Sequence, residues 1–217
     1  MAKKLEGAGL RGQVAGQTSL STVGKEGHGL TYRGYAIEDL ADKAKFEEVA
    51  YLLLYGHLPN KTELEAYQQK LISNRKLPEE LKKTLELIPA SAHPMDVMRT
   101  GCSVLGNLEP EGDFSNQNDA ADRILAILPS VICYWYRFSH DGISVDTETS
   151  HETIGGQFLS LLTGKEPSED HIRCLDTSLI LYAEHGFNAS TFASRTCAST
   201  LSCLLYTSDA ADEVACV

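Results

Sequence analysis

Phe46-Glu47-Glu48-Val49-Ala50-Tyr51-Leu52-Leu53-Leu54-Tyr55-Gly56 is the stretch at which the periodicity of the chain settles. Phe46, Val49, Ala50, Leu53 and Leu54 recur at the three- and four-residue spacing of one helix face. Gly56 supplies a C-terminal stop, and Pro59 follows three residues later. Upstream the pattern differs. Thr18 to Val23 and Leu30-Thr31-Tyr32 are short β-prone runs on either side of Gly24 to Gly29, which predicts a small hairpin. Downstream the period stays near 3.6, so the fold class reads as mainly α with one short N-terminal β-hairpin.

Working outward, Asn60-Lys61-Thr62-Glu63 pairs a capping side chain with an acid three positions on and opens a helix with Leu64, Tyr67 and Leu71 inward. Pro78 suits the first turn of another, with Leu81, Leu85 and Ile88 inward. His93-Pro94 opens a fourth through Val97, Met98, Val104 and Leu105, and the polar stretch Gly106 to Asn118 reads as a loop. From about Asp119 to Ser139 lies the most apolar helical region, which Pro129 should kink or split. Asp141 to Ser150 is a second polar loop. Ile154, Phe158, Leu161 and Leu162 then give a short helix ended by Gly164. Pro167-Ser168-Glu169-Asp170 starts a longer one, with Ile172, Leu175, Leu179 and Ala183 inward, ending near Gly186. A last amphipathic segment begins around Asn188. Short connections between such elements predict an all-α array.

A chain of 217 residues with a hydrophobic share of 42% can bury a core. Its longest apolar stretch, Ile124 to Phe138, is interrupted by Pro129 and Arg137 and falls short of the roughly 20 residues that span a bilayer. The net charge of −11 argues against a nucleic-acid partner, since phosphate backbones need a basic face. A small anionic substrate stays open, because a few local cations outweigh the average. Met1-Ala2-Lys3-Lys4 leads into polar sequence with no apolar h-region, so a cytoplasmic location is expected. The six cysteines show no C-x-x-C pair and no metal spacing; Cys133 and Cys174 read as small buried hydrophobes.

Three places could carry chemistry. Tyr182-Ala183-Glu184-His185-Gly186-Phe187-Asn188-Ala189-Ser190-Thr191 sets an imidazole at a helix end, then a glycine break, then Asn188 poised to cap the next helix. Such a break suits an anion, because the following helix offers N–H groups and His185 adds a proton or a charge. The plainer reading is that His185 caps its own helix. His93-Pro94-Met95-Asp96 is explained by capping and packing. Arg33, in Tyr32-Arg33-Gly34-Tyr35, could meet phosphate but fits a structural role better. Glu47-Glu48 and Glu79-Glu80 lie on helix starts or solvated faces, and adjacent helical residues point about 100° apart, so neither pair shares a substrate.

At these stretches the sequence resembles the citrate synthase family, and most of all its 2-methylcitrate branch. The resemblance rests on Gly16 to Val23, Tyr32-Arg33-Gly34-Tyr35-Ala36-Ile37-Glu38-Asp39-Leu40, Phe46 to Ala50, His93 to Gly101 and Tyr182 to Arg195, in that order, over about residues 10–202. It implies a citrate-synthase-like helical large domain, a small domain that closes over substrate, and a homodimer. It also implies an acyltransferase that condenses oxaloacetate with an acyl-CoA, here propionyl-CoA, with the CoA thioester as substrate and no further cofactor or metal. His185 matches the family's oxaloacetate-binding histidine, and Asn188 is taken with it as a second candidate substrate-binding residue. The family's three catalytic residues, two histidines in K-H-G-G-type and G-H-P-type motifs and a later aspartate, have no counterpart in these 217 residues. Residues 1–202 are therefore expected to be a truncated part of the large domain, inactive as given. Residues 203–217, which depart from the family's pattern, are expected to be a foreign or disordered tail. The alternatives are a citrate synthase acting on acetyl-CoA and a non-catalytic helical binding or scaffold module.

Overall fold

Several helix starts in this chain are written by local side chains. Asn60 accepts from the Glu63 N–H at 3.0 Å while the Glu63 carboxylate accepts from the Asn60 N–H at 2.8 Å, closing the expected capping box. His93, Thr153 and Ser168 likewise accept from N–H groups in the first turns of their helices. In the computed structural model these starts belong to an array that describes residues 16–23, 29–186 and 188–201. The expected tail at 203–217, the turn residues 24–28 and Phe187 lie outside the described residues.

The elements are β1 (Thr31–Tyr32), β2 (Tyr35–Ala36), α1 (Ile37–Lys43), α2 (Phe46–Tyr55), α3 (Lys61–Ser73), α4 (Glu79–Glu86), α5 (Pro94–Leu108), a 3₁₀ turn (Phe114–Asn116), α6 (Gln117–Asp141), α7 (Ile154–Thr163), α8 (Glu169–Tyr182) and α9 (Ala189–Leu201). A mainly helical fold with one short hairpin is the class the sequence predicts. The expected pairing of the run before Gly24 with Leu30-Thr31-Tyr32 is present as a bridge, its turn lies outside the described residues, and a second turn follows one step later. β1 and β2 pair around Arg33 and Gly34, both with positive φ, as a two-residue turn of this hand requires. The earlier run still joins it, through a Ser21–Tyr32 bridge and the Thr22 N–H donating to Thr31 O at 3.1 Å.

The long helix α6 organises the rest. Ala126 packs into a core with Tyr32, Leu40, Val49, Leu52, Leu71, Ile154 and Ile180. Its next residue, Ile127, faces a second core with Leu81, Leu85, Val97, Leu105, Val131 and Trp135. Pro129 neither splits nor ends the helix, which stays continuous between neighbours on both sides. The loop expected over 106–118 is shorter, because α5 runs to Leu108 and α6 opens at Gln117.

Two face assignments shift. In α2 the fully buried leucine is Leu52, whereas Leu54 is exposed. In α8 the deepest residues are Asp176 and Ile180, and Ile172, Leu175 and Leu179 are half-buried. Cys174 is exposed rather than buried. Cys133 is buried as expected, and burial pushes its thiol up to about 12. At the centre of the array the fully buried Asp122 accepts from Tyr55 Oη (2.5 Å), Tyr67 Oη (3.0 Å) and Lys70 Nζ (2.6 Å), tying α2, α3 and α6.

Candidate functional site

α8 ends at Tyr182, and the backbone between it and α9 is shaped by a side chain from the other end of the chain. Tyr32 is wholly buried, so its hydroxyl needs protein partners. It points its proton among the carbonyls of Glu184 (2.9 Å), Ile180 (3.1 Å) and Leu181 (3.4 Å), and accepts from the Glu184 N–H at 3.3 Å. Burial pushes the phenol above its ordinary range, which keeps it a neutral donor. Two residues on, the Gly186 N–H donates to Glu184 Oε1 at 2.5 Å, with Gly186 at φ 89°, a conformation that costs glycine little.

His185 lies between these two pins, its side chain partly open to solvent. The chain then re-enters a helix. The Asn188 N–H donates to Gly186 O at 2.9 Å, and Asn188 Oδ1 accepts from the Thr191 N–H at 2.7 Å, so Asn188 is the N-cap that the sequence predicts. The arrangement thus places an imidazole, a carboxamide and the positive end of a 13-residue helix along one short stretch. Each of the three favours an oxygen-rich anion.

The other candidate places resolve differently. Arg33 donates to Leu53 O at 2.9 Å and lies against Gly56, so it closes the C-terminus of α2. His93 caps α5, its Nδ1 accepting from the Met95 N–H at 3.2 Å. Both serve helix ends. A cavity of about 710 Å³ elsewhere carries Lys70, Lys76 and Arg123 among its lining, but Lys70 pairs with Asp119 and Arg123 with Glu109, both at 2.8 Å or less. Those two cations are already matched by acids of the same wall. Among the described residues no group of three or more His, Cys, Asp or Glu side chains could hold a metal ion, and no helix is long and apolar enough to cross a membrane.

Sequence reasoning misses Tyr32 and Glu47. In sequence Tyr32 reads as a β-prone residue and as a neighbour of Arg33, with no role of its own; its signal would be a tyrosine that the hairpin must bury. Glu47 reads as part of a solvated helix start, yet it is fully buried, with Oε1 accepting from the Ile154 N–H at 2.7 Å.

Residues 9–211 match the family described as citrate synthase, C-terminal domain. The chain is 67% identical over 201 residues to the 2-methylcitrate synthase of Shewanella oneidensis, covering 93% of this chain and 54% of that protein. It is 39% identical to 2-methylcitrate synthase 1 of Corynebacterium glutamicum, over 89% of this chain and 53% of that one. Among solved structures, citrate synthase from Pyrobaculum aerophilum superposes with a TM-score of 0.83 at 33% identity, covering 94% of this chain and 53% of its own. The ternary complex of Thermoplasma acidophilum citrate synthase with carboxymethyl coenzyme A and oxaloacetate gives 0.82 at 26% identity, with 94% and 55% covered. The chain belongs to the citrate synthase family. It spans about half the length of the curated relatives it matches.

Proposed function

We propose that this chain is the oxaloacetate-side part of a 2-methylcitrate synthase, an acyltransferase that joins propionyl-CoA to oxaloacetate. The single observation that carries the reading is the 67% identity to a 2-methylcitrate synthase together with a solvent-accessible His185 on a backbone pinned at both sides. In the reaction the acyl α-carbon loses a proton, its enol attacks the oxaloacetate carbonyl to form a carbon–carbon bond, and hydrolysis of the thioester releases CoA.

His185 supports this as an anchor. It donates to an oxaloacetate oxygen and, when protonated, adds a charge-assisted bond. Asn188 offers a second donor, and the start of α9 a third source of positive potential. The proton-transfer residues of the family pattern have no counterpart in these 217 residues, so the chain as given is proposed to bind without turning over. A positioned base contributes about 10²–10⁴-fold, and each oxyanion donor about 10²–10³-fold. A homodimer is proposed for the whole protein. The broad exposure of Tyr182 (88%), Leu87 (85%) and Met95 (63%) supports it, since exposed apolar surface favours association.

An acetyl-CoA-specific citrate synthase is the second reading, favoured by the citrate synthases among the similar structures. Release of free CoA thiol by the protein as its gene encodes it decides between them: propionyl-CoA should outpace acetyl-CoA in kcat/KM. In the same assay His185→Ala should raise the oxaloacetate KM about ten- to hundredfold, the worth of one charged hydrogen bond. The acyl-CoA KM should hardly move. Equal effects on both substrates would make His185 a structural residue.

A further inference from the structure

We propose that Tyr32, acting through Glu184, is a positioning residue that holds the His185 imidazole at the angle its ligand requires. This rests on the reading of His185 as the oxaloacetate contact. Tyr32 sits 152 residues before Glu184 in sequence, yet its hydroxyl bonds both the carbonyl and the N–H of that residue. A two-way contact of this kind fixes the peptide planes on both sides of the Glu184 α-carbon, and with them the direction in which the following residue leaves. Glu184 repeats the device forward, its Oε1 accepting from the Gly186 N–H. The α-carbon of His185 therefore hangs between two peptide groups that each have a partner, while its own side chain keeps access to solvent.

A helix that ends in solvent has no need of such an anchor, because water satisfies its last carbonyls. Here the last turn has a buried phenol instead, delivered by the β1–β2 hairpin. That hairpin has only two residues in each strand. Its β1 residue Tyr32 belongs to one core with Ile180, the last buried residue of α8. The hairpin thus gives the histidine a rigid mount, and misplacement of a binding group by about 1 Å is enough to weaken binding markedly.

The test is kinetic, in the full protein as its gene encodes it. Tyr32→Phe removes one oxygen and keeps the ring in the core. It should raise the oxaloacetate KM about two- to tenfold while the acyl-CoA KM stays within about twofold. In the Tyr32→Phe, His185→Ala double variant the KM should match that of His185→Ala alone, because a mount has no effect once its histidine is gone. Tyr67→Phe is the control: it removes a second buried hydroxyl, from the Asp122 cluster, and should not split the two KM values. Should Tyr32→Phe fail to fold, Glu184→Ala removes the forward pin and should act in the same direction, with Glu184→Gln, which keeps an acceptor oxygen, restoring the wild-type value. Additive effects of Tyr32→Phe and His185→Ala, or a Tyr32→Phe profile like that of Tyr67→Phe, overturn the proposal and leave the oxaloacetate reading intact. An oxaloacetate KM unmoved by His185→Ala overturns both.

Discussion

Two of the segments that leave the helical path are each held from within by one buried side chain. Residues 142–153 cross from α6 to α7, and Arg75, fully buried just past the end of α3, donates to the carbonyls of Thr149 (3.3 Å), His151 (2.5 Å) and Thr153 (3.4 Å). Residues 183–188 cross from α8 to α9, and Tyr32 does the same for Ile180, Leu181 and Glu184. Both anchors are donors aimed at backbone oxygen, which irregular chain next to a core needs. The two segments differ in where each delivers the chain. Past the first, the backbone dives into a buried helix start, with Glu47 receiving the Ile154 N–H. The second presents His185 toward solvent. One anchor serves the fold, and the other serves a side chain that faces outward.

The sharpest way to break the first half of that comparison is Arg75→Met. Burial lowers the guanidinium pKa to about 10, with the Glu47 charge opposing, so the cation persists at neutral pH. Removing it leaves three half-buried carbonyls short of a donor, at a cost of about 3–6 kcal/mol if each contributes roughly 1–2. Hydrogen exchange over residues 147–156 should then accelerate at least about a hundredfold, while exchange over 183–186 stays as in the wild type. Uniform acceleration of both segments would show that the two anchors are not independent.

Glu47 gives a second, smaller effect with a defined sign. Burial, and then the charge of Asp176 on α8, raise its carboxyl from 4.5 to about 7, against the Ile154 N–H and Lys45, which lower it. Arg75 beyond α3 and Tyr67 on α3 are the other titratable groups that feel its charge. A raised folded pKa means that the native state holds the proton more tightly than the unfolded chain. Its contribution is fully present below about pH 4.5 and is lost as pH rises through about 7. Between about pH 5 and pH 8 the thermal midpoint of the wild type should therefore fall relative to that of Glu47→Gln, which keeps the acceptor for Ile154 and cannot ionise. The difference is on the order of 2–3 kcal/mol. Parallel curves for the two proteins would mean that Glu47 stays ionised throughout.

The same contrast explains what is legible in the sequence and what is not. Asn60, Thr153, Ser168 and Asn188 announce helix starts locally, because a cap and the N–H groups it satisfies lie within three residues of each other. The helix break at His185 is legible for the same reason, as glycine followed by a capping asparagine. Tyr32 and Arg75 act across 152 and up to 78 residues, and no local spacing encodes a partner that distant. Glu47 escapes because a charged residue at a helix start is usually solvated. The periodicity of α2 points to Leu53 and Leu54, yet the core that the hairpin and α8 share with this helix takes Leu52. Pro129 leaves α6 intact because packing on both faces outweighs the local preference.

The finest test concerns Asn188, where the second half of the comparison meets the fold again. Its Oδ1 is committed to the Thr191 N–H, and its NH₂ group is by chemistry a donor. Asn188→Ala removes both functions and should cost about 1 kcal/mol of helix stability, read as faster exchange in the first turn of α9. Asn188→Ser separates them, since serine caps about as well as asparagine but has no amide to donate. If the residue binds substrate, Asn188→Ser keeps wild-type exchange in α9 and raises the oxaloacetate KM about two- to tenfold, the worth of one neutral hydrogen bond. That is the outcome we expect, and it should be smaller than the effect of His185→Ala, because the carboxamide carries no charge. A serine variant with unaltered KM would reduce Asn188 to a cap and leave the anion to His185 and the start of α9.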